Sequence, residues 1–448
     1  MSYQNGIINN LIENTIEIYF ADDPDPEATK ITQSNIVSES MTLKQSVCDS
    51  ETLTYGGCIA SEFNIELLNT ADRSFSSALT GKWISVKITQ HYADPDALLY
   101  PANNVYPADS LFPGKTTGEK AFWVFSGYID SAMVNKTDKN VIDVVAYDVF
   151  AKLYEEDATN WLYTFLKSSS GIYAGNISNI LYHALSIDYN NVLDIAHSNI
   201  SSVLNERYTA QAANTIVGSF RTINDYWLSR KDKISFGELI KSICEILAVF
   251  GVIVPNSGKG VFVFKTLSGT AETYAFYESL EAEEYQSTGY TDFQFNISGN
   301  DRTGKSTLGG GITDAADGAV NKAYDFTDNI LVMQPYTTSG QGRTSTDFDY
   351  LINRSSIGTR LALNAESANH SGQCAFSAYT PLTATLDGRL WVTVGSPIEI
   401  LVNQTDSNGD YIITDGQIQK ESVKTYVLSR TLTGIQALTD DIEVKGVR

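Results

Sequence analysis

Residues 62–67 read Glu-Phe-Asn-Ile-Glu-Leu, polar and apolar in strict turn. Only an extended chain sends successive side chains to opposite sides. Phe63, Ile65 and Leu67 therefore line one buried face of a strand, and Glu62, Asn64 and Glu66 line the other. Ahead of it stands Tyr55-Gly56-Gly57, where two glycines allow a turn or bulge at positive φ. The pattern then repeats. Lys82–Gln90 places Ile84, Val86 and Ile88 on one face, Phe122–Ile129 comes next with a break expected at Gly127, and Val141–Tyr147 closes the set. A shorter strand over Thr15–Phe20 precedes them all. It leads into the acidic turn Ala21-Asp22-Asp23-Pro24-Asp25-Pro26-Glu27, where two prolines forbid regular structure. The carboxylates of that turn match no calcium-loop spacing. Between Gln90 and Phe122 lies a polar insertion with Pro95, Pro101, Pro107 and Pro113, read as a projection from the rim of a barrel.

After Tyr147 the period changes. Asp148 can cap a helix running to about Glu155. Over Asn176–Leu185, the residues Ile177, Ile180, Leu181, Ala184 and Leu185 make one apolar helical stripe. Ser235 and Glu238 form a capping box for a helix expected to reach Phe250, with Phe236, Leu239, Ile240, Ile243 and Leu247 as its stripe and Gly251 as its stop. A hairpin comes after it: Val252–Val254, a loop over Pro255–Gly260, then Val261–Phe264. Helix on hairpin is an α+β unit.

Residues 298–322, rich in Gly, Asp, Thr and Ser, read as a loop or linker. From Pro381 strands return, at Leu390–Val394, Ile398–Val402, Tyr411–Thr414 and Lys424–Thr433, with a hairpin turn at Asp406-Ser407-Asn408-Gly409. No short-period repeat runs through the chain. The sequence is thus α+β and mainly β. Its divisions are residues 1–148, a barrel-like β domain with the proline-rich insertion at 91–121; 149–290, a mixed helix and hairpin domain; 291–380, a connecting segment; and 381–448, a second barrel-like β domain. A length of 448 residues holds such a set comfortably.

Charge narrows the partners. Lys and Arg number 31 against 53 Asp and Glu, a net charge of −22. A surface this acidic repels nucleic acid instead of gripping its phosphates. It serves solubility, or a wall past which DNA slides. No run of apolar residues is long enough to span a bilayer. The first residues, MSYQNGIINNLIENT, carry neither a basic region nor an apolar segment of signal-peptide type, so secretory export is not expected. Cys48, Cys58, Cys244 and Cys374 are too few for a disulfide scaffold. Cys48 and Cys58 read as two small buried thiols, or as a pair across a loop.

One motif demands a decision. Gly299-Asn300-Asp301-Arg302-Thr303-Gly304-Lys305-Ser306 fits the phosphate-cradling pattern G-x-x-x-x-G-K-[ST], and the strand-like Phe293–Ile297 precedes it. That loop works by delivering phosphate to a helix N-terminus. Here Gly309-Gly310-Gly311 comes next instead, and each glycine costs a helix about 1 kcal/mol against alanine. The segment reads as a flexible loop. His91, His183, His197 and His370 stand at no metal-ligand spacing, and His183, on an apolar helical face, reads as a packing residue. No nucleophile motif occurs, and no spacing singles out a carboxylate pair. The sequence offers no positive sign of catalysis, a cofactor or a metal.

Four passages in order carry a family resemblance. They are Glu39–Leu43 with Cys48 to Tyr55-Gly56 and Cys58-Ile59-Ala60-Ser61; Val124–Tyr128 with Val144–Asp148; Ser235–Phe264; and Leu386–Leu390 with Ser429–Leu438. Asp328-Asn329 adds an asparagine turn entering the last domain. Together, over about residues 36–448, the chain resembles the tail-tip hub proteins of tailed phages, in particular the tail-associated proteins of phages and prophages of Gram-positive bacteria.

The resemblance implies a structural protein with no catalytic set. Its two barrel-like domains would alternate in a homotrimer as a pseudo-sixfold ring around the tail axis, capping the tube and continuing its channel for DNA ejection. Expected partners are the distal tail protein or tube ring, the tape-measure protein, and receptor-binding or fibre proteins. DNA would pass without specific binding. The place is the virion tail tip, after synthesis in the host cytoplasm. Many such hubs continue into a cell-wall hydrolase or a long fibre-like tail, whereas this sequence ends at Arg448 soon after its last β region, so lytic activity is not expected; the alternatives are a hub with cell-wall hydrolase activity and the hub of a contractile tail or injection device.

Overall fold

A computed structural model describes residues 11–21, 29–48, 56–69, 79–93, 117–161, 177–186, 192–207, 233–247, 249–265, 274–275, 283–284, 292–297, 308–314, 318–324, 373–376, 381–404, 406 and 410–445. The front of the chain supplies β1 (Leu11–Ala21), β2 (Thr29–Thr32), β3 (Thr42–Ser46), β4 (Glu62–Leu68), β5 (Trp83–Ala93), β6 (Thr117–Val134) and β7 (Val141–Tyr147). They pair antiparallel in the order β2-β1-β5-β6-β7-β4-β3. The alternation in β4 holds, with Phe63, Ile65 and Leu67 buried and their neighbours half-buried. Ile84, Val86 and Ile88 of β5 are buried beside them.

Gly127 does not break its strand. β6 runs unbroken through it for 18 residues, because the glycine lets two backbones close up. A Cβ at Gly127 would lie 2.2 Å from the carbonyl oxygen of Tyr147 on β7. The strand bends elsewhere, at register shifts facing Val86/Lys87 and between Ile129 and Ser131. The proline-rich insertion of 91–121 is bounded by the pair Ala93–Thr117, and its residues 94–116 lie outside the described residues.

The middle of the chain begins with α1 (Val149–Glu155), α2 (Ile177–Ser186), α3 (Ile200–Arg207) and α4 (Phe236–Leu247). The capping box forms as expected: Ser235 N donates to Glu238 Oε2 at 2.9 Å and Glu238 N to Ser235 Oγ at 3.1 Å. Yet α4 ends at Leu247, earlier than expected, and Gly251 lies inside the next strand. That strand is β8 (Phe250–Asn256), paired to β9 (Lys259–Lys265). The hairpin loop is also tighter than expected. Pro255 already pairs with Gly260, and only Ser257 (φ 48°) and Gly258 (φ 84°) make the turn. The turn is bolted to the front sheet, since Gly258 O accepts from Trp83 Nε1 and Ser85 Oγ, each at 2.7 Å.

Short pieces come next: β10 (Tyr274–Ala275), β11 (Glu283–Glu284), β12 (Asp292–Ile297), β13 (Leu308–Asp314), β14 (Gly318–Tyr324) and β15 (Gln373–Phe376). The last four form a separate sheet in the order β14-β13-β12-β15. The glycine-rich stretch is therefore not all loop. Gly309, Gly310 and Gly311 pair on both sides, with β12 and with β14. Residues 298–307, most of the phosphate-loop pattern, lie outside the described residues, but β13, the element after them, is an antiparallel strand and not a helix.

The chain ends with β16 (Pro381–Asp387), β17 (Pro397–Asn403), β18 (Ile413–Thr414), β19 (Gln417–Ile418), β20 (Lys420–Thr433) and β21 (Thr439–Lys445). Leu390–Val394 is not the strand expected from its apolar run. It is a buried turn, with Leu390, Trp391, Val392 and Val394 all inside. The expected strand Tyr411–Thr414 shrinks to Ile413–Thr414, and residues 407–409 of the turn before it lie outside the described residues.

Two closed barrels are not what forms. β20 pairs with β3, Ser429 opposite Ser46 and Thr433 opposite Thr42, so both ends of the chain enter one sheet of 13 strands. Its path runs from β11 and β16 through β21, β20 and β3 to β2, and no pairing among the described residues closes it. Two apolar cores support it. One gathers β1, β4, β5, β6 and β7 and takes in Leu390, Leu432, Ile435 and Leu438 from the C-terminal part. The other joins Val47 and Cys48 to Phe250 and Val252 of the hairpin and to Trp391, Val427 and Val444. Burying a side chain of this kind contributes about 1.5–3 kcal/mol, so the seam is held by apolar area on both sides.

Candidate functional site

The place where the fold does most with single residues is the seam between the chain's two ends. β20 brings Arg430 into it, and β21 brings Asp440. Arg430 Nε donates to Asp440 Oδ1 at 3.1 Å and Nη2 to Oδ2 at 2.6 Å. Nη1 donates to Val392 O, which is how the buried turn Leu390–Val394 keeps a carbonyl satisfied away from water. Burial pushes the Asp440 carboxyl up from its ordinary value, and the Arg430 guanidinium pulls it part of the way back.

Glu39 works from the other side. It sits at φ 56°, a conformation a residue with a side chain adopts only when its surroundings impose it. Its carboxylate accepts from Ile435 N at 2.7 Å, Gln436 N at 3.1 Å and Ala437 N at 3.4 Å. The β20–β21 turn is thus tied to the segment leading into β3. Asn14 completes the lock: its Nδ2 donates to Gln436 O at 3.1 Å, and its Oδ1 accepts from Gln90 Nε2 at 3.0 Å. On the outer edge, Glu17 takes Lys30, Tyr19 and Lys87 together. Burial alone would raise its carboxyl, but these donors win and lower it to about 2.

A second candidate is a cavity of about 280 Å³ whose lining includes Tyr128, Asp130, Tyr147, Asp148, Lys152 and Glu155. Burial raises Asp148 to about 7, against opposing hydrogen bonds. A carboxyl held near neutrality beside an ionised one is the equipment of glycoside cleavage. Here, however, both oxygens of Asp148 are spent on the backbone. Oδ2 accepts from Ser61 N at 2.8 Å and Oδ1 from Phe150 N at 2.9 Å, so it serves as the α1 cap expected from the sequence. Lys152 pairs with Glu155 at 2.9 Å on the exposed rim.

The remaining sequence candidates scatter. His183 stacks on Trp161 with ring centroids 4.4 Å apart, and burial lowers its pKa. His91 meets Thr15 and Glu119, and His197 meets Asp194 at 2.6 Å in an exposed pair. His370, Asp328-Asn329 and the acidic turn after Ala21 lie outside the described residues. Cys48 and Cys58 are both buried, and no disulfide joins them. The thiol next to Cys58 is Cys244, Sγ to Sγ 3.5 Å, on α4, and burial raises that thiol. Among the described residues no group of three His, Cys, Asp or Glu is placed to hold a metal, and no helix is long and apolar enough to cross a membrane. Sequence reasoning missed the pair Arg430–Asp440, and it missed Glu39 and Asn14 as partners of the β20–β21 turn, since nothing local links positions so far apart in the chain.

Solved structures similar to this chain include two tail proteins and a component of a type VI secretion system. A tail protein from Neisseria meningitidis MC58 shares 9% identity at a TM-score of 0.39, with 97% of each chain covered. The 43 kDa tail protein of prophage MuSo2 from Shewanella oneidensis shares 11% at 0.40, covering 97% of this chain and 98% of that one. A chain of the Francisella PdpA-VgrG complex shares 10% at 0.40, covering 99% of this chain and 60% of its own length. No family model and no curated protein matches the sequence.

Proposed function

We propose that this chain is a structural hub subunit at the tip of a phage-type tail, three copies of which form a collar that caps the tube and continues its channel. The observation that carries the reading is the seam. β20 laid on β3 turns the two ends of the chain into one antiparallel wall, locked by Glu39 and Asn14, while Arg430–Asp440 ties β20 to β21. A wall whose ends are joined in this way suits a part that must keep a fixed bore under load. The net charge of −22 supports passage of DNA in place of capture. In this reading the distal tail protein or tube ring, the tape-measure protein and receptor-binding or fibre proteins are the neighbours, and the chain acts by packing and not by catalysis. The alternatives are a hub with cell-wall hydrolase activity and the hub of a contractile tail or injection device; in the cavity beside α1, Asp148 has both oxygens committed to backbone amides.

Light scattering of the full chain tests the assembly: the expected mass is about three times 49.1 kDa. Gold-labelled antibody should mark one end of purified tails, and incubation with cell walls should release neither sugar nor peptide. A monomer that marks no tail overturns the reading, and steady release of wall fragments overturns its non-enzymatic half.

A further inference from the structure

Two exposed apolar features leave the large sheet at opposite ends of its strands. The first is the ribbon β18–β19, turned at Asp415 (φ 52°) and Gly416 (φ 77°). It exposes Tyr411 by 57%, Ile412 by 38%, Ile413 by 63% and Ile418 by 42%. The second is the β6–β7 tip, where Met133 is exposed by 66% and Val134 by 53%. The registers fix their directions. Thr433, Thr42, Asn64, Val145 and Ser131 form one rung across β20, β3, β4, β7 and β6. From that rung β20 runs back to Lys420 and into the ribbon, in the same sense as β3 runs to Ser46. The tip lies the other way, beyond Leu68 and Val141. The two features therefore leave these strands at opposite ends.

The two exposed lysines of the tip can meet acids of the ribbon beside their apolar side chains. The ribbon carries exposed Asp410 and Asp415, and the tip carries exposed Lys136 and Lys139, with half-buried Asp143 opposite Met133 accepting from Asn135 Nδ2 at 2.9 Å. Asp138, between those two lysines, turns its carboxylate back to accept from Asn140 N at 2.9 Å. Each feature is held by hydrogen bonds of its own chain. Asn135 Oδ1 accepts from Thr137 N at 2.9 Å and from Thr137 Oγ1 at 2.7 Å to set the tip, and Ile412 N donates to Gln404 O at 2.9 Å to root the ribbon. A preformed element loses little entropy on docking.

We infer that the ribbon of one copy docks on the β6–β7 tip of the next, a head-to-tail contact between copies of this chain. A contact between two different patches builds a closed ring when its rotation closes. The inference rests on the collar reading and names the surface that makes it.

The test uses the full chain. Met133→Cys chains co-expressed with Ile413→Cys chains should cross-link to each other through a short bismaleimide, while neither variant alone should. Lys136→Glu with Lys139→Glu should weaken association by about tenfold or more, as should Asp410→Lys with Asp415→Asn. Mixing the two charge-altered chains should restore much of the loss. Circular dichroism and melting should match the parent throughout. An oligomeric chain that shows no Met133–Ile413 link, or that links like to like, overturns this surface and leaves the collar standing. A chain monomeric at every concentration overturns both.

Discussion

Arg430 on β20 reaches diagonally to Asp440 on β21, which stands opposite Leu432, through two hydrogen bonds, with side chains only 4% and 0% exposed. A charge pair so far from water is held by its geometry, because either partner alone would be a bare buried ion. Arg430→Ala and Asp440→Ala should each destabilise the chain by about 3–5 kcal/mol in urea unfolding. The double variant Arg430→Met/Asp440→Leu should recover most of that loss. Full additivity of the two single losses would contradict the pairing.

Glu39 predicts a different signature. Three backbone amides of the β20–β21 turn depend on its carboxylate. Glu39→Ala should cost about 1–3 kcal/mol, and Glu39→Asp, one methylene shorter, should rescue little of it. Hydrogen exchange should speed up at Ile435 and Gln436 and leave α4 unchanged.

Gly127 sits where two backbones touch. Gly127→Ala would put a Cβ 2.2 Å from Tyr147 O, with no flexible side chain to yield. The expected loss is about 3 kcal/mol or more, with protection lost along β6 and β7. Gly416→Ala serves as the contrast, since a Cβ there meets nothing within 4 Å and only the positive φ resists it.

Two carboxylates give stability opposite pH slopes. Asp148 rises from 3.8 to about 7 in the fold, so the folded chain holds a proton that the unfolded chain has released. Its contribution therefore falls as pH rises from about 4 to about 7. Glu17 is lowered from 4.5 to about 2, so its contribution is full above 4.5 and is lost as pH falls toward 2. Urea midpoints across this range should show the first slope vanish in Asp148→Asn and the second in Glu17→Gln. An Asp148→Asn profile parallel to the parent's would refute the assignment.

Local chemistry was legible in the sequence and distant pairing was not. The alternation of Phe63, Ile65 and Leu67, the Ser235–Glu238 box and the Asp148 cap are decided within a few residues, and each forms as expected. Leu390–Val394 misled because an apolar run with no alternation fits a buried turn as well as a strand. What decides is whether a partner such as Arg430 satisfies its backbone. The Asp415-Gly416 turn carries a hairpin signal, but the strands it joins are two residues each and bury no face. Nothing near Ser46 announces Ser429 as its neighbour, so the joining of the two ends into one sheet had no local sign.

A cryo-electron microscopy map of the purified assembly, or of tails that contain it, bears on the collar without intermediates. It should show three copies about an axis, β20 continuous with β3 in every copy, and an acidic bore wide enough for duplex DNA. A map of single chains, or an axial channel lined with lysine and arginine, would rule the collar out.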